Sequence, residues 1–124
     1  MTTYEIKTGR EPDFMVRYKI NDGRGEVLQG IRWDFKYATE TFVPDSVWMI
    51  WPQFLDNDDN PLPEGSSVPR SGRASMWILD PELRGNIHQS RIKVGTRGYF
   101  MEGKIVGDVV VEEILGLHDN PISK

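Results

Sequence analysis

The chain contains no cysteine, which excludes a disulfide framework and any thiolate metal site. It has two histidines, His88 and His118, and two imidazoles alone do not complete a typical zinc site. No apolar run approaches the roughly 20 residues that a transmembrane helix needs, and the first residues lack the apolar stretch of a signal peptide. We therefore expect a cytoplasmic protein with no metal and no cofactor.

Recognisable catalytic motifs are also missing. None of the scattered glycines begins a phosphate-binding loop that ends in Lys-Ser or Lys-Thr. Residues 56–60 begin like a calcium loop, but Pro61 and Ser67 occupy the positions that need a glycine and a bidentate glutamate. His88 and Ser90 would share a strand face, yet no orienting acid or oxyanion site accompanies them. We interpret His88 as a surface residue and expect no enzymatic activity.

Charge is distributed unevenly along this net acidic chain, whose formal charge is −4. Residues 40–66 contain six acidic residues and no Lys or Arg, whereas residues 70–104 contain seven basic residues against three acidic ones. A net negative chain is repelled by a phosphate backbone, which argues against general nucleic-acid binding. A local basic face is still compatible with the sequence, although solvated strand faces explain the same charges.

Short segments with period-two alternation dominate the chain, as is typical of half-buried strands. Turn residues such as Asn21-Asp22-Gly23 separate these segments. We predict strands at residues 14–20, 31–37, 47–51, 73–79, 91–94, 97–101 and 104–115. No window of a dozen residues has a helical period, and residues 81–89 have room for one short turn only. The pattern predicts an all-β barrel or sandwich.

The domain boundaries follow from this pattern. We predict a loosely ordered N-terminus at residues 1–12, a β-barrel domain at 13–117 and a C-terminal tail at 118–124. Within the domain, the Asp, Asn, Pro, Gly and Ser residues of 56–72 predict a long acidic loop.

Three stretches of the chain form a recognisable set. Residues 95–107 read Gly-Thr-Arg-Gly-Tyr-Phe-Met-Glu-Gly-Lys-Ile-Val-Gly, Gly30-Ile31-Arg32 precedes an aromatic strand, and Asp80-Pro81 ends another strand. Through these residues the chain, and its C-terminal half in particular, resembles the third domain of elongation factor Tu. The resemblance covers residues 14–116 and implies a single closed antiparallel six-stranded barrel. It implies no GTPase activity, because this chain has no counterpart of that family's other two domains.

The same resemblance suggests RNA contacts, but the residues that would make them differ. The family's arginine after the aromatic strand falls near Ala38-Thr39-Glu40, so a basic side chain is lost and an acidic side chain is gained. Asp108 is added in the turn where Lys104 keeps a positive charge. RNA binding, tRNA in particular, is therefore an alternative, and its candidate phosphate contacts are Arg91, Lys93, Arg97 and Lys104.

The function that we favour is a non-enzymatic module that binds one partner protein, as an interaction or antagonist protein. Trp48 and Trp51 lie three residues apart, so a strand would direct them to opposite faces, and one of them would be outside the barrel. The candidate partner-binding residues are these two tryptophans and the acidic residues of the following loop, Asp56, Asp58 and Asp59. A small hydrolase that uses the acidic loop and His88 is a further alternative.

Overall fold

Six antiparallel strands form one sheet in the computed structural model, which describes residues 10–39 and 46–122. The strands are β1 (Phe14–Ile20), β2 (Asp34–Tyr37), β3 (Ile50–Phe54), β4 (Ser71–Ile78), β5 (Arg97–Met101) and β6 (Ile105–Ile114). Their order across the sheet is β2-β5-β6-β1-β4-β3. This arrangement confirms the all-β class. The rest of the predicted N-terminal segment, residues 1–9, lies outside the described residues, as do residues 40–45, 123 and 124.

The prediction of a closed barrel is wrong, because the sheet curls into a half-barrel whose edge strands, β2 and β3, do not form a continuous ladder. The edges meet at one isolated bridge, where Phe35 and Trp48 exchange two backbone hydrogen bonds of 2.9 and 2.8 Å. β2 has only four residues, and Pro52 of β3 has no N–H to donate to a further strand. Both features limit pairing between the edges.

The core lies on the concave side of the curled sheet. β1 keeps the predicted alternation, since Val16, Tyr18 and Ile20 are buried while Arg17 and Lys19 are exposed. Aromatic rings from four segments meet there with centroids 5.0 to 6.2 Å apart; they belong to Tyr18, Trp33, Phe54 and Phe100. Full burial of each such side chain contributes about 1.5–3 kcal/mol, so this cluster is a major source of stability.

A short helical segment, α1, follows β4 and ends at Arg91. The predicted strand at 91–94 is wrong, because residues 92–94 form irregular chain and the start of a turn. The segment α1 consists of α-helical turns at Pro81–Leu83 and Gln89–Arg91 and a π-helical turn at Arg84–His88. Asp80 begins it, because its Oδ1 accepts hydrogen bonds from the backbone N–H groups of Glu82 and Leu83 at 2.9 and 3.4 Å. Pro81 fits the first helical position, where no N–H is needed.

A buried ion pair joins α1 to both ends of the described chain. Asp13 Oδ1 lies 2.7 Å from Arg84 Nε, and Asp13 Oδ2 accepts a hydrogen bond from the backbone N–H of Ile78 at 2.7 Å. Asn120, in the segment predicted as a tail, donates to both Asp13 Oδ1 and the Glu11 carbonyl at 3.0 Å. The network therefore holds residues 11–13, the end of β4, α1 and the C-terminal segment together.

Candidate functional site

The segment that precedes and begins β3 carries apolar side chains on both faces. Trp48 packs against the core and Ile50 is fully buried. On the opposite, convex face, Val47 is 45% exposed, Met49 is 54% exposed and Trp51 is half-buried. We call these three residues the outer stripe. Sequence reasoning identified Trp51 but not Val47 or Met49, although the same period-two alternation places all three on one face.

Trp51 is held in place by polar neighbours from the chain before and within β2. Its Nε1 donates to Asp34 Oδ1 at 3.4 Å, and the guanidinium carbon of Arg32 lies 5.0 Å from the ring centroid. Across the strand pair, Trp51 lies opposite the fully buried Trp77 of β4. Contacts on several sides restrict the indole, so little side-chain entropy remains to be lost if a partner covers its exposed part.

The outer stripe continues onto β5 across β2. Asp34 lies opposite Met101 and Lys36 lies opposite Tyr99 in the β2–β5 register. Directly opposed residues share a sheet face, so Tyr99 and Met101, both half-buried, also face outward. We define the seam surface as the outward side chains where the two edges of the sheet approach: Asp34, Lys36, Val47, Met49, Trp51, Tyr99 and Met101.

Trp48 does not belong to the seam surface. Its ring packs edge-on against His88, with centroids 5.2 Å apart, and its backbone forms the bridge to Phe35. The two tryptophans predicted as partner-binding residues therefore occupy opposite faces, with Trp48 on the core side and Trp51 on the outside.

The acidic residues Asp56, Asp58 and Asp59 of the predicted long loop lie in a tight turn, residues 56–60, at the far end of β3. Asp56 Oδ1 accepts hydrogen bonds from the backbone N–H groups of Asp58 and Asn60 at 2.8 and 3.0 Å. Asp59 Oδ2 pairs with Arg73 Nη1 at 2.6 Å. Two of the three predicted acidic contacts, Asp56 and Asp59, thus stabilise local structure, while Asp58 is exposed. At about 3.4 Å per residue, Asp56 begins roughly 17 Å along the strand from Trp51.

The predicted phosphate contacts divide into two groups. Arg91, Lys93 and Arg97 occur close together, between the end of α1 and the start of β5. Lys104 lies in the turn between β5 and β6, at the opposite end of β5, which is roughly 17 Å long at about 3.4 Å per residue. The structure therefore brings three of the four residues together.

His88 is buried, with 1% of its surface exposed, so its interpretation as a surface residue is wrong. Its Nδ1 lies 2.6 Å from the Tyr37 hydroxyl. Ser90 is exposed and its hydroxyl donates to the Ile87 carbonyl at 3.2 Å, so His88 and Ser90 are not brought together. The sequence contained one signal for this burial, namely residues spaced four apart. Arg84, His88 and Ile92 are each 1% exposed, as expected for residues on one face of a helix.

Two further findings concern only residues 10–39 and 46–122. Within these ranges, no three His, Asp or Glu side chains gather closely enough to hold a metal ion. Every helical turn within the same ranges is too short and too polar to cross a bilayer.

The comparisons with known proteins give no family: no protein-family model matches the chain, and no curated protein matches it significantly. The resemblance to the third domain of elongation factor Tu therefore stays a prediction from the sequence.

Proposed function

We propose that this chain is a non-enzymatic protein-binding module that docks one partner protein on the seam surface. The observation that carries the proposal is the outward exposure of Val47 and Met49 beside the immobilised ring of Trp51. The other strongly exposed large apolar side chains of the described residues, such as Val94, Ile105 and Ile122, lie on different segments. Clustered apolar exposure on a small domain is a mark of interaction sites.

The composition of the seam surface supports the same proposal. The cores of protein interfaces are enriched in Tyr, Trp, Met and Arg and depleted of most charged residues. Trp51, Met49, Met101 and Tyr99 are of the enriched types, although the charged Asp34 and Lys36 of the same surface lie opposite Met101 and Tyr99. The exposed Arg32 lies at the border of this surface. We therefore expect the partner to present an apolar protrusion next to a carboxylate, which Arg32 would face.

The acidic loop has at most a long-range role in this proposal. Its roughly 17 Å separation from Trp51 exceeds the Debye length of about 8 Å at physiological salt. Steering by Asp58 would thus be largely screened, and Asp56 and Asp59 already have local partners. The docking contact itself is assigned to the seam surface alone.

A pair of matched substitutions tests the proposal. Met49→Asp places a charge in the middle of the seam surface, whereas Val94→Asp makes the same kind of change at an exposed side chain on another segment. Both variants should melt close to the wild type, because both side chains are largely exposed. We expect Met49→Asp to lose the partner captured by tagged wild type from lysate, and Val94→Asp to retain it.

Binding constants with the purified partner complete the test. Truncation of one of the few residues that dominate an interface, which are often central tryptophans, costs about 2 kcal/mol or more, or about a 30-fold change in Kd. We expect a loss of that size for Trp51→Ala. Equal capture by all variants would contradict the proposal. The partner would then have to be sought on the surface around Arg91, Lys93 and Arg97.

A further inference from the structure

Sulfur in this chain occurs only in methionine, because the sequence contains five methionines and no cysteine. Cysteine thiolates and methionine thioethers are the protein sulfur groups that peroxides oxidise, and the product at methionine is a sulfoxide. Without a thiol in the chain, oxidation of sulfur falls on methionine alone. The oxidant has to reach the side chain, so exposure decides which methionine reacts first.

The methionines of the described residues differ widely in exposure. Met49 is 54% exposed, whereas Met15 is 9% exposed and Met76 is fully buried. Met101 is half-buried on the seam surface. Met15 and Met76 belong to β1 and β4, which are inner strands of the sheet, and such strands open only rarely. Of these four side chains, Met49 is thus the one that meets solvent without any opening of the fold.

The backbone at Met49 is fixed on both sides. The Met49 carbonyl accepts a hydrogen bond from the Leu79 N–H at 3.1 Å. The preceding residue, Trp48, exchanges two backbone hydrogen bonds with Phe35, and the following residue, Ile50, is fully buried. The Met49 side chain therefore projects outward from a held backbone. A change at its sulfur alters the surface and leaves the core contacts in place.

Met49 lies in the middle of the outer stripe. Val47 and Trp51 are two residues away on either side and share its strand face, and the Trp51 indole is held by its hydrogen bond to Asp34. A methionine in such a position supplies flexible and polarisable apolar contact area. Methionine sulfoxide is polar and chiral, and its formation disrupts interfaces that depend on methionine. The most accessible described sulfur of the chain is therefore also central to the seam surface.

We propose that Met49 is a site of reversible oxidation by peroxides and that the sulfoxide releases the docked partner. The thioether sulfur attacks one peroxide oxygen and the O–O bond breaks. For hydrogen peroxide, the proton on the attacked oxygen passes to the departing hydroxide, which leaves as water. The sulfur is oxidised by two electrons and the peroxide is reduced. Burying the polar sulfoxide in an apolar contact without a hydrogen-bond partner costs free energy, so the docked complex is weakened. Release rests on the docking function proposed above, whereas the oxidation of Met49 does not.

The first experiment treats the purified chain with hydrogen peroxide and follows each methionine by peptide mass spectrometry. We expect Met49 to gain one oxygen atom first, Met101 more slowly, and Met15 and Met76 last. The melting temperature should stay unchanged at the stage where Met49 alone has reacted. Equal rates at all four positions would overturn the proposal, as would unfolding that accompanies the reaction of Met49.

The second experiment compares tagged wild type, Met49→Leu and Met101→Leu. Leu retains most of the apolar volume of Met and has no sulfur to oxidise. Before treatment, all three should capture the same partner from lysate. After peroxide treatment to the stage where Met49 has reacted, the Kd for the purified partner should rise about tenfold or more in wild type and in Met101→Leu. Met49→Leu should be unaffected. Methionine sulfoxide reductases for both sulfoxide epimers should restore wild-type binding.

The outcomes separate failure of the redox site from failure of the docking site. Binding that survives oxidation of Met49 in wild type, or that is lost equally in peroxide-treated Met49→Leu, would overturn the redox release and leave docking at the seam surface intact. Equal capture by untreated wild type and Met49→Asp would contradict the docking function and, with it, the release. The order in which the methionines react would still confirm or overturn the oxidation site itself.

Discussion

The carboxylate of Asp13 and the guanidinium of Arg84 meet at 2.7 Å with both side chains almost fully buried. Arg84 also donates from Nη2 to the Ile78 carbonyl at 2.7 Å and from Nη1 to the Pro121 carbonyl. Burial lowers the pKa of the nearby Arg10, and the charge of Arg84 lowers it further. The charges are therefore tightly coupled, and the pair fixes α1 against the sheet.

Replacing Arg84 with Met should destabilise the fold severely, because Asp13 would remain buried without its charged partner. Loss of one member of a buried ion pair typically costs about 3–5 kcal/mol, out of a total stability of about 5–15 kcal/mol. Urea unfolding followed by tryptophan fluorescence measures this. Arg24→Met is the control, since its ion pair with Glu102 is partly exposed and is worth at most about 1 kcal/mol. Similar losses in both variants would mean that the network is not a major support.

Trp48→Ala should lower the free energy of unfolding more than Trp51→Ala does. Trp48 packs against the core and His88, and truncating a core tryptophan costs about 3–5 kcal/mol, which is an upper bound for this half-buried ring. Trp51 faces outward and already contacts water. Thermal melts of the two single variants give the comparison. Equal destabilisation would indicate that both rings are core and would remove Trp51 from the seam surface.

Much of the sheet could be predicted from alternation alone. The pattern of Phe14 to Ile20 and the break at Asp80-Pro81 place β1 and the end of β4 correctly. The opposite directions of Trp48 and Trp51 also follow from their spacing. The sequence could not show whether the sheet closes into a barrel. Pairing between β2 and β3 depends on the curvature of the entire sheet, and no single segment encodes that curvature.

The helical segment shows a different limit. α1 is interrupted by a π-turn at Arg84–His88, which shifts the register of side chains. Its buried face includes Arg84, although arginine is usually exposed. Arg84 is buried because it pairs with Asp13, which lies 71 positions earlier in the chain. Sequence pattern reports average burial by residue type, so a buried ion pair between distant segments stays invisible to it.

Glu102 should contribute a pH-dependent part of the stability. Hydrogen bonds from Arg24 and from the buried Trp33 lower its pKa below the ordinary value. Because the folded pKa is the lower one, this stabilisation is present above the unfolded pKa of about 4.3 and is lost as the pH falls through the folded pKa. Glu102→Gln should therefore reduce the loss of stability on acidification below about pH 4.3, by less than about 1 kcal/mol because the carboxylate is partly exposed. Urea unfolding at pH 3 and pH 7 tests the sign, and an unchanged difference between the two would contradict it.

RNA binding at physiological salt should be weak, and its salt dependence should report how few phosphates the chain contacts. Of the four candidate phosphate contacts, Arg91, Lys93 and Arg97 lie in one segment. If these three alone contact the RNA, about three phosphates are neutralised together, and log K should fall with log salt with a slope of about −2.7. Fluorescence anisotropy with labelled tRNA at several salt concentrations measures that slope. Changing both Arg91 and Lys93 to Ala should flatten it by about two units, near one for each phosphate that is no longer neutralised, whereas Lys104→Ala should leave it unchanged. A submicromolar complex at physiological salt would contradict this prediction and show that the net charge of −4 does not prevent RNA binding. If Lys104→Ala also flattened the slope, both ends of β5 would contact the same RNA.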